Sequence, residues 1–155
     1  ENNFSKYSKA KYAVAVSNGT AALHLSALAL DVKSGDKVIT TPITFAASAN
    51  CVRYCGGEVV FADIDPKTYC LDIAKVEELL KSKPKGTFKG IIPVDFAGFA
   101  VDMESFRKLA DEATPGKFAT TLEISLFPPA LLEISEALIV LKLTGLAFVL
   151  LKVFP

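Results

Sequence analysis

Ser17-Asn18-Gly19-Thr20-Ala21 places three side-chain oxygens and a glycine between two apolar runs, "YAVAV" before it and an Ala/Leu-rich stretch after it. With "YAVAV" as a strand and "TAALHLSALAL" as a helix, the link is Ser17-Asn18-Gly19, and Thr20 and Ala21 are the first helical residues. A helix start there presents unpaired backbone N–H groups and the positive end of its dipole, which together suit a phosphate. Gly19 lets an anion approach the backbone, and the Thr20 hydroxyl adds a donor. The same residues also suit simple capping by Ser17, Asn18 or Thr20, worth about 1 kcal/mol with no ligand involved. From the residues alone, cap and cradle are both open. The Gly-Lys-Ser/Thr of a nucleoside-triphosphate loop and the Gly-x-Gly-x-x-Gly of a dinucleotide site are both missing, so ATP and NAD are the poorer candidates.

Other residues with chemistry in reach have plain structural readings beside their functional ones. His24 lies in the same Ala/Leu-rich helix and reads more readily as a packed residue than as a cofactor contact. Cys51 and Cys55 share a helix face at i, i+4, which suggests a metal only if other ligands join them; none is evident from the uneven spacing of Cys70 and the single histidine, so buried thiols are the favoured reading. Asp63 and Asp65 resemble a metal-friendly pair, yet Asp65-Pro66 is turn chemistry that accounts for both. Asp95 ends a strand, where α/β enzymes place functional side chains, and a substrate-side and a structural role are both open. Arg53 and Arg107 fall on helices and read as solvated or salt-bridged.

These residues need elements to hold them. Up to about Glu112 the sequence alternates short β-rich runs, 12 to 16, 37 to 41, 58 to 63 and 89 to 96, with helical patterns beginning near Thr20, Thr44, Ile73 and Met103. The strands carry consecutive apolar residues, as strands covered on both faces do. Asp72 and Asp102 are placed to cap the last two helices, and Gly35 and Gly56-Gly57 follow the helices they would end. This pattern predicts a doubly wound α/β architecture, mainly a parallel sheet with crossover helices.

The chain's 155 residues suffice for one core-forming domain, and 17 basic residues balance 17 acidic ones, which argues against a dedicated nucleic-acid binder. The three cysteines form no disulfide framework and fit a reducing, cytoplasmic setting. The first residues lack the pattern of a signal peptide, and with Glu1 in place of Met they read as cut from a longer chain. Hydrophobic residues make up 51% and mean hydropathy is +0.38, with the excess near the C-terminus. From Ala113 the grammar changes, and residues 113 to 155 form a divergent hydrophobic tail. Its apolar run from Ala137 to Leu151 is shorter than the roughly 20 residues a membrane helix needs and carries Lys142 near its middle, so a buried hairpin or stray sequence is expected rather than a span.

Four stretches, "KYAVAVSNGTAALHLSALAL", "GDKVITTPITFAASAN", "GGEVVFADIDPKTYCLD" and "IIPVDFAGFAVDM", resemble in order and spacing the DegT-type (DegT/DnrJ/StrS) sugar aminotransferases over residues 1 to about 112. The resemblance implies part of the major domain of a fold-type I enzyme dependent on pyridoxal 5′-phosphate (PLP). It further implies a nucleotide-activated keto sugar as substrate, an amino-acid donor, and a homodimer in the full-length form. Carried over, Gly19 and Thr20 with the amide of Ala21 correspond to the seat of the cofactor phosphate, and Phe45 to the aromatic that stacks on the pyridine ring. A flat π face is a physically sensible partner for that ring. Without the resemblance, Phe45 reads as a core residue of the helix from Thr44.

Two further groups belong to such a site: a lysine that bonds the cofactor aldehyde, and an acid that keeps the pyridine nitrogen protonated. The family carries them in an "Asp-x-x-His-Ala" type motif and after a "Ser-Phe-His" type motif, and neither occurs here. "EISLFPPALL" echoes the second but has no lysine, and Lys142 has an apolar setting but none of the motif. The resemblance therefore implies a fragment without transaminase activity of its own. A non-catalytic α/β module that binds a phosphorylated ligand or a protein partner at the same helix start is the alternative.

Overall fold

The computed structural model describes residues 1–8, 12–113, 140–143 and 146–151. Helix α1 (Asn2–Ser8) precedes strand β1 (Tyr12–Val16), and α2 (Gly19–Ala29) follows across the short Ser17-Asn18 link. Strands β2 (Lys37–Thr40), β3 (Glu58–Phe61) and β4 (Phe88–Ile92) then form a parallel sheet in the order β3-β2-β4. Parallel neighbours need crossovers, and helices supply them: α3 (Ala47–Tyr54) joins β2 to β3 and α4 (Ile73–Lys81) joins β3 to β4. Helix α5 (Met103–Ala113) follows β4.

Successive strand residues face opposite ways, and β2 shows what that requires here. Val38 enters one core with Ala22, Leu23 and Ala27 of α2 and Cys51 and Val52 of α3. Its neighbour Ile39 enters the other, with Val76 of α4, Phe88 of β4, and Phe106 and Ala110 of α5. Ile92 and Ile91 of β4 divide the same way. The sheet is thus covered on both faces, which is why its strands read as unbroken apolar runs rather than alternating ones. Val38, Ile39, Val52 and Val76 are fully buried, and each such side chain contributes about 1.5–3 kcal/mol of apolar transfer.

The boundaries follow local chemistry. Asp72 caps α4, its Oδ1 accepting from Ala74 N at 2.8 Å, and Asp102 caps α5 by accepting from Ser105 N at 3.1 Å. Strand β4 stops at Ile92, short of the expected residue 96, because Pro93 has no N–H for the ladder. Helices α2 and α3 end alike. Val32 N donates to Ala27 O and Asp31 N to Leu28 O, as Gly57 N does to Val52 O and Gly56 N to Arg53 O. Gly56, at φ +82°, fills the left-handed position as anticipated, but in α2 that position belongs to Asp31, at φ 54°, and not to Gly35. Aspartate tolerates this conformation better than most residues, and Gly35 serves the later turn between Lys33 and Asp36.

Strand β1 stands apart from the parallel sheet. It pairs antiparallel with β6 (Leu146–Leu151), from Tyr12↔Leu151 to Val16↔Ala147, and β6 pairs antiparallel with β5 (Val140–Leu143). The apolar tail thus gives β1 its strand neighbour, and Lys142 falls opposite Ala147 in that second sheet. The rest of the tail, including "EISLFPPALL", lies outside the described residues. Among the described residues no helix is long and apolar enough to cross a membrane.

Candidate functional site

The turn after β1 is both cap and open helix start. Asn18 is the N-cap, in extended conformation at φ −167° and ψ 171°, and its Oδ1 accepts from Ala21 N at 2.9 Å. Its Nδ2 donates to Ser17 Oγ at 3.2 Å, so one carboxamide ties both sides of the turn. The helix begins at Gly19, one residue earlier than the spacing predicts, which makes Gly19, Thr20 and Ala21 its first three residues. Their amides have no intrahelical acceptor, and the Asn18 side chain engages that of Ala21.

Gly19 is not there for a left-handed backbone, since its φ lies outside that region. A Cβ built on it meets no atom within 4 Å, so the glycine leaves open space beside the Gly19 and Thr20 amides. Thr20 is exposed, and the first turn of α2 contains no acidic residue to repel an anion. The residues present therefore suit a phosphate monoester: open backbone, the positive end of a helix, and a free-standing hydroxyl.

Phe45 is positioned by the segment leaving β2. Thr41 is fully buried and its Oγ1 accepts from Ile43 N at 3.3 Å, while the hydroxyls of Thr44 and Ser48 bond at 2.8 Å. The bends over residues 42–44 delay α3 to Ala47, later than the expected Thr44, and leave Phe45 ahead of the helix. Phe45 is 69% exposed, so the reading of it as a core residue does not hold. Ala22 near the start of α2 and Ala47 at the start of α3 belong to one buried cluster, which sets the first turns of both helices on the same core. Phe45 follows the carboxyl end of β2, the side on which open α/β sheets bind ligands, whereas the Ser17–Ala21 turn follows β1 of the antiparallel sheet.

The remaining sequence candidates resolve mainly to structure. His24 packs edge-on against Tyr54 of α3, ring centroids 5.4 Å apart at 68°. Cys51 is buried, and loss of water pushes its thiol up to about 11; Cys55 is half-buried and raised for the same reason. Asp63 Oδ1 accepts from Ile64 N and Asp65 Oδ1 from Lys67 N, and no metal-binding cluster of His, Cys, Asp or Glu exists among the described residues. Asp95, three residues past β4, accepts from Val101 N at 2.8 Å and so braces the tight Phe96–Phe99 turn. Arg107 reaches Asp111 at 3.8 Å, and Arg53 is exposed on α3.

A parallel sheet covered by helices on both faces makes this a partial α/β domain. A family model for the DegT/DnrJ/EryC1/StrS aminotransferase family matches residues 1–114, and the chain belongs to that family. It is similar to the GDP-perosamine synthase of Caulobacter vibrioides, 42% identical over 110 residues that make up 71% of this chain and 29% of the relative. It is similar too to the UDP-2-acetamido-2-deoxy-3-oxo-D-glucuronate aminotransferase of Pseudomonas aeruginosa, 37% identical over 112 residues, 72% of this chain and 30% of that one. The crystal structure of NtdA from Bacillus subtilis with bound cofactor PMP superposes with a TM-score of 0.82 at 27% identity, covering 99% of this chain and 36% of NtdA. The chain thus spans about 29% of the length of the first of these relatives.

Proposed function

We propose that this chain is the phosphate-anchoring part of a PLP-dependent aminotransferase that acts on the keto group of a nucleotide-activated sugar, with an amino acid as donor. The open helix start at Gly19 and Thr20 carries the reading. Their amides and the α2 dipole offset the phosphate charge, and the Thr20 hydroxyl adds a donor. Phe45 offers a flat face that fixes the plane of the pyridine ring. When bound, the cofactor supplies the electron sink that amino-group transfer needs. The GDP- and UDP-sugar chemistry in the names of the two relatives supports the substrate class. Homodimeric assembly and a cytoplasmic setting belong to the same reading.

Residues 1–114, the part the family model matches, contain neither lysine-bearing nor acid-bearing family motif, so the chain by itself anchors cofactor without transferring an amino group. Titration of the ¹⁵N-labelled chain with pyridoxine 5′-phosphate, which has no aldehyde and forms no lysine adduct, tests the seat. Shifts centred on the Gly19 and Thr20 amides that unphosphorylated pyridoxine does not produce are expected. Equal shifts with both compounds, or shifts elsewhere only, overturn the reading.

A further inference from the structure

We propose that the exposed face of Tyr69, Phe96 and Phe99 takes the lysine loop at residues 81–85 of a second copy of this chain, a head-to-tail contact. The face is built by two segments that follow the carboxyl ends of β3 and β4. Tyr69 and Phe96 bring their ring centroids to 6.0 Å, Phe96 bridges to Phe99, and the Cys70 thiol donates to Phe99 O at 3.5 Å, so the segments hold together. Tyr69 is 50% and Phe99 55% exposed. Single exposed apolar residues are ordinary, but three aromatics on one contiguous face mark a docking surface.

Charge decides what the face accepts. Residues 63–72 and 95–102 carry five aspartates, Asp63, Asp65, Asp72, Asp95 and Asp102, against one lysine, Lys67. Electron-rich ring faces beside carboxylates favour a cation and repel an anion. The chain carries a matching cation itself: "KSKPK" at 81–85 has three lysines and no acid. Lys81 pairs with Glu77, while Lys83 and Lys85 are exposed and make no ion pair among the described residues. This loop precedes β4, at the amino ends of the parallel strands, whereas the aromatic face lies past their carboxyl ends. Helix α4 alone separates the two by about 13 Å, more than a lysine side chain spans, so one copy cannot close the contact on itself. A patch and its distant complement on one molecule make a heterologous contact, which repeats from copy to copy.

Sedimentation of the 155-residue chain tests this. Its weight-average mass is expected to rise with concentration and to fall back as salt goes from about 50 mM to about 0.5 M. Lys83→Gln/Lys85→Gln is expected to lose that rise with an unchanged urea midpoint, because both residues sit on an exposed loop. Tyr69→Asn/Phe99→Ser is expected to lose it too, asparagine suiting the left-handed backbone of Tyr69 at φ 60°. Each variant keeps the half that the other lacks, so an equal mixture is expected to pair again, one copy of each. Association that both variants keep, such as a symmetric pair through another face, overturns the inference. So does association that ignores salt or that the mixture fails to restore, and so does a chain that stays monomeric.

Discussion

Asn18 Oδ1 accepts the Ala21 amide at 2.9 Å, while Gly19 between them bears no side chain and faces open space. The cap is thus in place, and the proposed cradle is the same turn. The glycine can then be separated from the fold. Gly19→Ala, in a helical backbone, is expected to leave stability unchanged or raise it by about 0.4–1 kcal/mol. The added methyl group occupies the approach to the amides, and pyridoxine 5′-phosphate binding falls by roughly tenfold. Thermal melts beside a binding titration separate the two effects.

Phe45 allows the same separation by another route. At 69% exposure it contributes little to the core, so Phe45→Leu is expected to change stability by less than about 0.5 kcal/mol. Loss of the aromatic face costs about 0.5–1.5 kcal/mol of ring packing, a weakening of binding of roughly twofold to twelvefold. Chemical denaturation and fluorescence of the bound pyridine ring report the two quantities. A large stability loss would place Phe45 back in the core.

Gly57 is needed for the opposite reason, a lack of space. A Cβ there lies 2.8 Å from Val32 Cγ1 and 2.9 Å from Val52 Cγ1, where the matching ends of α2 and α3 meet. Valine is stiff at χ1 and gives way poorly, so Gly57→Ala is expected to destabilise by about 1–3 kcal/mol. A lowered urea midpoint with unchanged slope is the measurement.

Cys51 sets a pH limit. Burial raises its thiol from 9.0 to about 11 in the folded chain. Because the folded state favours the neutral thiol, the stability this contributes is fully present below pH 9.0 and is lost as pH rises through about 11. Subtracting the unfolding free energy of Cys51→Ala from that of the unchanged chain between those pH values is expected to show the decline. In the native chain iodoacetamide is expected to reach the half-buried Cys55 before Cys51.

Much of this was legible in the sequence because it is local. Consecutive apolar residues in "KVIT" and "GII" announced strands covered on both faces, and Asp72 and Asp102 announced their helices. Phe45 was harder to read. Its apolar character fits a helix core, and only the Thr41 and Thr44 hydroxyl contacts, which depend on the folded loop, hold it outside α3. The pairing of β1 was not legible for a related reason: an isolated strand carries no mark of its neighbour, and here that neighbour is β6, far away in the chain. Asp31 in place of glycine at the end of α2 is a third instance, a left-handed position that aspartate tolerates.

The central claim, a phosphate seat without a reactive lysine of its own, is tested most directly by adding PLP to the 155-residue chain, reducing with borohydride and mapping modified peptides. Adducts scattered over exposed lysines, none reaching one per chain, together with phosphate-dependent shifts at Gly19 and Thr20, are the predicted result. A stoichiometric adduct on a single lysine, Lys142 above all, would contradict it.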